Sequence, residues 1–187
     1  MTRINKRKSY RAPLNTFLLY VDHDFVYKAR LMNISSTGLA LRTLPHFPEK
    51  EKVYGMMDIP YLPCFNKLSL KELETLLFNG YERSIQRIQL KMKRRLSETT
   101  SVDDIFKQGI GCEILNTSGE YINLVNEYVE NYKKNLIMLI QFFEESHIEE
   151  SQVKVFKTSL QLLGYSIGKK MHVLRNEVEK DYLGFEY

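Results

Sequence analysis

Two short stretches hold residue types that could bind an anion. In "RKSYR" Arg7 and Arg11 stand four apart, with Lys6 just ahead, and in "NISSTG" Asn33, Ser35, Ser36 and Gly38 precede a short apolar run. A guanidinium forks onto phosphate oxygens and stacks on a flat ring, which an ammonium cannot do. An amide and a hydroxyl each offer both a donor and an acceptor, and the N–H groups of a turn can line an anion-accepting concavity. A glycine lets another group approach where a side chain would block it. Taken singly, each stretch has a plainer explanation. Arg7 and Arg11 read as a basic tail, and Asn33 to Gly38 read as a turn into a strand.

Other chemistry has little foothold. His23, His46, His147 and His172 do not cluster with acids at ligand or triad spacing, and the chain has no GxSxG, P-loop, HExxH or paired-carboxylate arrangement. The expectation is a protein that is not an enzyme, with no metal and no cofactor. Two cysteines, Cys64 and Cys112, without a CxxC, argue for a reducing compartment. The basic N-terminus lacks the apolar core and cleavage site of a signal peptide, and the most apolar stretch, residues 136–143, is too short to span a bilayer. A cytoplasmic location follows as the expectation. The formal charge is only +4, concentrated in residues 3–11 and in Lys91, Lys93, Arg94 and Arg95. Few aromatics interleave those runs, so nucleic acid is not expected as a partner.

The elements that must position these residues follow from periodicity. Residues 14–21 and 25–32 are rich in β-formers around the turn "DHD", as in a hairpin. In the second, Phe25, Tyr27, Ala29 and Leu31 alternate with Val26, Lys28, Arg30 and Met32, which fits a half-buried strand. A third strand follows "NISSTG", and residues 51–59 give a fourth. Ser69 with Glu72 forms a capping box ahead of Leu70, Leu73, Leu76 and Leu77 at helical spacing, with Gly80 as the stop. This predicts a short helix inserted into a β domain. Ile88, Leu90, Met92, Arg94 and Leu96 alternate, which puts the second basic run on a solvated strand face. Residues 97–108 read as a loop, and "GIGCEIL" (109–115) reads as a returning strand whose glycines allow close backbone approach.

From Ser118 the chain turns helical. Ile122, Val125, Val129, Tyr132, Leu136, Leu139 and Phe143 make a heptad seam, broken at residues 147–151. Apolar spacing resumes from Val153 to Tyr182, where Gly164 and Gly168 either divide two helices or loosen one. The seam either packs within the chain or pairs with another subunit, so the 122–143 seam is a candidate surface for a homo-oligomer.

"RKSYR", a single hairpin, then "NISSTG" 22 residues after Arg11 and an apolar strand: this order resembles the PilZ domain. "YRAPLNTFLLYV" is similar to the way that family enters its first strand, and "GIGCEIL" with the helix after it resembles the end of the domain. The resemblance covers roughly residues 3 to 130. It implies an α+β chain: a six-stranded antiparallel barrel over residues 1–117, with a helical insertion at about 66–84, then a helical extension of two or three helices over 118–187. It also implies a bacterial receptor for the second messenger cyclic di-GMP, passing its signal to a partner protein. The resemblance assigns ligand contacts to Arg7 and Arg11, to Asn33 for a guanine edge, to Ser35 and Ser36 for phosphate, and to Gly38 for clearance. Lys6 occupies the position tied in the family to a stacked ligand dimer, and Arg42 lies within reach of the same face. The other reading is an adaptor with a weak or degenerate ligand site, working through its C-terminal helices.

Overall fold

The structure, a computed structural model, describes residues 10–42, 44–96, 109–145 and 149–186. Lys6, Arg7 and the loop expected at 97–108 lie outside the described residues. Seven strands form one sheet: β1 (Ala12–Pro13), β2 (Phe17–Asp22), β3 (Phe25–Ser35), β4 (Gly38–Arg42), β5 (Lys52–Pro60), β6 (Arg83–Leu96) and β7 (Gly109–Leu115). The order is β1-β3-β2-β5-β6-β7-β4, and β4 also pairs with β3, so six antiparallel strands close into a barrel with β1 added beside β3. The expected α+β class and barrel are present, with one more strand than predicted. The sequence stops the hairpin's second strand at residue 32, but pairing carries β3 on to Ser35, so Asn33 and Ser35 are strand residues.

One extra residue shapes β3. Leu31 pairs with Leu41, but Asn33 pairs with Ala40, leaving Met32 as a bulge. A bulge reverses which residues point inward. Before it, Ala29 and Leu31 are buried; after it, Ile34 takes the inward position opposite Leu39. Asn33 and Ser35 therefore turn to the outer side, together with their cross-strand partners Ala40 and Gly38. The barrel interior is filled by Leu18, Tyr20, Leu31, Ile34, Leu39, Leu41, Ile59 and Leu90.

Two compact units divide the chain. The barrel unit runs through Tyr61 and resumes over Arg83–Val129. The helical unit joins Leu62–Glu82 to the chain from Glu130 onward. Its α1 (Leu70–Asn79) has the predicted capping box, with Ser69 Oγ accepting from the Glu72 N–H and the Glu72 carboxylate accepting from the Ser69 N–H. The long helix α2 (Gly119–Glu144) begins in the barrel unit and continues through the helical one. In the helical unit Asn131 donates to the Leu62 carbonyl, while the buried Asn135 donates to Pro63 and accepts from Phe65 N–H, tying the segment before α1 to α2. α3 (Glu150–Leu162) and α4 (Met171–Glu186) are separate helices, with Gly164 at φ +89° in the turn between them. Seam residues Val125, Val129, Tyr132, Leu136 and Leu139 are all buried in the single chain.

A buried carboxylate locks one end of the barrel. Asp22, 1% exposed, accepts the Glu49 N–H at 2.9 Å and lies 2.9 Å from His46 Nε2. The His46 ring stacks on Tyr27, Tyr27 stacks on Tyr20, and the Tyr20 hydroxyl donates to the His46 carbonyl. Burial raises the Asp22 pKa, but the Glu49 and Lys50 amides and the His46 ring outweigh it and hold the carboxyl below its ordinary value of 3.8. A carboxyl depressed in the fold adds stability that is present above the unfolded-chain value and lost as pH falls through the lower folded value. Asp22→Ala strands these donors and should cost about 1–3 kcal/mol at neutral pH. In denaturant titrations the gap between wild type and Asp22→Ala should narrow below about pH 4; a gap independent of pH would show that the charge is not what holds the loop.

Candidate functional site

The bulge and the arm strand together build one face of the barrel. β1 pairs Ala12 with Ile34 and Pro13 with Asn33, which brings Arg11 to the level of Ser35, next to the Ser36–Thr37 turn. Proline suits this edge position, where a missing N–H costs no ladder bond. In the barrel unit Tyr128 of α2 donates to the Pro13 carbonyl at 2.6 Å, fixing the strand that carries Arg11. The guanidinium reaches the turn: Arg11 Nη2 lies 3.7 Å from where a Cβ on Gly38 would stand.

Gly38 answers a close approach and not a backbone angle. A Cβ there would sit 2.6 Å from the Cys112 carbonyl oxygen, a distance real Cβ atoms do not tolerate. Its φ is not positive; among the described glycines the positive values are those of Gly80 and Gly164. Ser35 is buried, and its hydroxyl donates to the Gly38 carbonyl at 3.0 Å, closing the turn that Ser36 and Thr37 make. That hydroxyl proton is thus engaged within the turn, leaving the oxygen as an acceptor. Asn33 Oδ1 is buried and has no hydrogen-bond partner among the described residues. A buried acceptor without a donor costs free energy, and this oxygen has its accepting capacity unused within the described residues.

Charge completes the face. Arg42, exposed at the end of β4, stands directly across from Arg30 of β3. Like charges opposite each other on a strand pair are unfavourable until an anion lies between them. Asn15 Oδ1 accepts from Arg30 Nε at 3.1 Å and Nη2 at 2.8 Å, so one of the two is held in place. Beside them the sheet carries small residues: Ala40, only 2% exposed, pairs with Gly111, and Arg42 with Gly109. Arg11 also acts electrostatically on Cys112. Burial pushes that thiol up to about 12, with Arg11 pulling the other way, so Cys112 stays a protonated, buried group and not a nucleophile.

The structure therefore brings Arg11, Asn33, Ser35, Gly38 and Arg42 together, with Ser36 in the turn between them. Lys6 and Arg7 are outside the described residues. Arg30 was not singled out by sequence; the signal was available only through register, since its pairing with Arg42 depends on where the bulge falls. In the basic run of β6, Lys91 pairs with Glu51 and Lys93 with Glu113, both at 2.7 Å.

No family model and no curated protein matches the chain. Solved structures do. The Bacillus subtilis inhibitor of motility (MotI/DgrA) is similar over 72% of this chain, with a TM-score of 0.50 and 12% identity. This chain spans about half of that one, 54% of its length. The PilZ domain of Escherichia coli YcgR, solved with c-di-GMP, matches over 68% of this chain and 92% of its own, with a TM-score of 0.43 and 11% identity. Borreliella burgdorferi PlzA in complex with c-di-GMP matches over 75% of this chain and 54% of its own, with a TM-score of 0.36 and 10% identity.

The fold is PilZ-like. In this PilZ-like barrel the tightest point of the candidate face is the contact between Gly38 and the β7 backbone. Gly38→Ala should lower stability by about 1–3 kcal/mol through this clash, reversing the gain that Gly→Ala gives at unstrained sites. Thermal unfolding should register this as a midpoint lowered by about 2–4 °C per kcal/mol. Gly119→Ala, where a Cβ meets nothing within 4 Å, is the control and should not lower the midpoint.

Proposed function

We propose that the chain is a cyclic di-GMP receptor that binds its ligand on the face formed by Arg11, Asn33, Gly38, Arg30 and Arg42, and passes the signal to a partner protein. The observation that carries this is the buried, unpartnered Asn33 Oδ1 set between two arginine positions. Guanine presents N1–H and N2–H donors to such an acceptor, while its O6/N7 edge takes a guanidinium fork. Phosphates flanking the base would lie between the opposed Arg30 and Arg42 and satisfy their repulsion. A ligand of two flat bases and two phosphates fits a floor of Gly109, Gly111 and Ala40 rimmed by cations. The PilZ-like fold and the RxxxR and NxSxxG order in the sequence support the same reading.

In this mechanism Arg7 would add a second guanidinium and Lys6 a further cation to the charge of Arg11. Anion binding at the turn then alters what the barrel presents to a partner. The work is recognition; no bond is made or broken.

Calorimetric titration with cyclic di-GMP, with GTP and cyclic GMP as controls, tests the proposal. Saturable binding of the cyclic dinucleotide alone is expected. Arg11→Ala should weaken it about tenfold to a hundredfold, the value of one or two charge-assisted hydrogen bonds, and Arg11→Lys should not restore it. Asn33→Leu, close in volume but without the acceptor, should weaken it about tenfold. Absence of saturable binding, or binding indifferent to both Arg7→Ala and Arg11→Ala, overturns the proposal.

A further inference from the structure

The barrel's outer surface carries a second feature, on strands β2, β5 and β6. Leu19 stands opposite Met56 and Val21 opposite Tyr54, while on the next strand Met56 faces Arg87 and Tyr54 faces Gln89. A half-buried strand in an antiparallel sheet normally alternates apolar inside with polar outside. β2 does not. Leu18 and Tyr20 point inward, yet Leu19 and Val21 on the outer side are 38% and 44% exposed. Val26 and Tyr54, each 67% exposed, extend the patch across three strands. Together with Leu115 they line an open groove of about 520 Å³ with Arg87, Gln89 and Asn116 at one edge. Exposed apolar surface gathered in a concavity marks a contact surface.

The rim is cationic. Lys28 lies across from Leu19 with its ammonium 3.8 Å above the Phe17 ring, Arg87 borders the groove, and Lys52 begins β5. Among the described residues none of these three makes an ion pair. Of the neighbouring acids, Glu49 is engaged with His23, Glu51 with Lys91, and Asp58 with Arg83 and Thr16, while Asp24 in the β2–β3 turn makes no ion pair among the described residues.

We propose that this groove docks an amphipathic helix of a partner protein, its apolar ridge seated on Leu19, Val21, Tyr54 and Met56 and its acidic flank meeting Arg87 and Lys28. Three observations select that occupant. β2, β5 and β6 are each paired on both sides, so no backbone edge is open to an added strand, and recognition must run through side chains. The surface is concave, which a helix ridge fills and a flat lipid surface does not. Unpaired cations around an apolar floor complement acids, whereas a second copy presenting the same face would set Arg87 and Lys28 against like charges. This site centres on β2, β5 and β6, away from the Arg11–Gly38 turn, and does not depend on cyclic di-GMP binding.

The test uses the full chain and two labelled synthetic helical peptides of about 18 residues, roughly 27 Å long. Both carry the same Leu/Phe ridge at i, i+3, i+4 and i+7; one is flanked by Glu and the other by Lys. By fluorescence anisotropy the Glu peptide should bind saturably and at least about tenfold tighter than the Lys peptide, a difference of about 1.4 kcal/mol. Val21→Glu and Met56→Glu should abolish binding, and Arg87→Glu should reverse the preference between peptides. All three positions are on the outer face, and an unchanged circular dichroism spectrum will establish that the variants fold. No saturable binding by either peptide overturns the proposal, as does equal binding unaffected by the variants. Two other results also overturn it: co-sedimentation with 3:1 phosphatidylcholine–phosphatidylserine vesicles that is lost in Val21→Glu while neither peptide binds, and self-association in sedimentation velocity abolished by the same variant.

Discussion

The single extra residue at Met32 is the constraint on which the rest of the candidate face depends. Strand side chains alternate with a period of two, so the pairing of Leu31 with Leu41, continued without interruption, would send Asn33 and Ser35 into the barrel and Ile34 out of it. An amide and a hydroxyl among Leu18, Leu31 and Leu39 would find few partners, at about 1–3 kcal/mol for each one stranded. The bulge avoids this by letting Ile34 complete the core. The polar pair is then delivered to the outer side, where β1 brings Arg11. Gly38 follows from the same geometry. The turn must return β4 tightly enough to pair with both β3 and β7, and the Cys112 carbonyl occupies the space a side chain would need.

Electrostatics separates this face from the chain's other basic surface. On β6 two lysines are answered across the sheet, Lys91 by Glu51 and Lys93 by Glu113. Exposed pairs of that kind add little to stability, but they neutralise the field that a ligand would feel. On β3 and β4 the answer is missing: Arg30 faces Arg42, and a neutral amide, Asn15, holds Arg30. An asparagine orients a guanidinium without cancelling its charge. The arrangement is costly to an empty protein and useful to one that receives an anion, which is why local conflict of this type collects at binding sites.

Much of the architecture was legible in the sequence because it is local. The capping box at Ser69 and Glu72, the strand Gly109–Leu115 and the helix beginning just after Ser118 depend on neighbours a few residues apart. The chain positions of Arg11, Asn33, Ser35, Gly38 and Arg42 were also readable, as a pattern. Their roles were less so. Whether Ser35 spends its proton on a ligand or on Gly38 depends on turn geometry, and the reason for glycine at 38 is the backbone of a strand more than 70 residues later. The bulge was invisible because "RLMNIS" reads equally well in either register, and with it went the partnership of Arg30 and Arg42.

The heptad seam and the second strand show the same limit from opposite sides. The seam from Ile122 to Phe143 looks on paper like surface awaiting a partner, yet Val125, Val129, Tyr132, Leu136 and Leu139 are buried within one chain. "FLLYV" looks like a strand buried on both faces, yet Leu19 and Val21 remain exposed beside Tyr54 and Met56. An apolar run states that a surface must be covered; it does not state by what. In a closed barrel the inward half of such a strand is covered by the chain itself. The outward half is left to whatever else packs on it, and Leu19 and Val21 stay 38% and 44% exposed. The uncovered half therefore falls on β2 and β5 and not on α2, and this shifts the expected contact surface from a helical seam to a sheet groove.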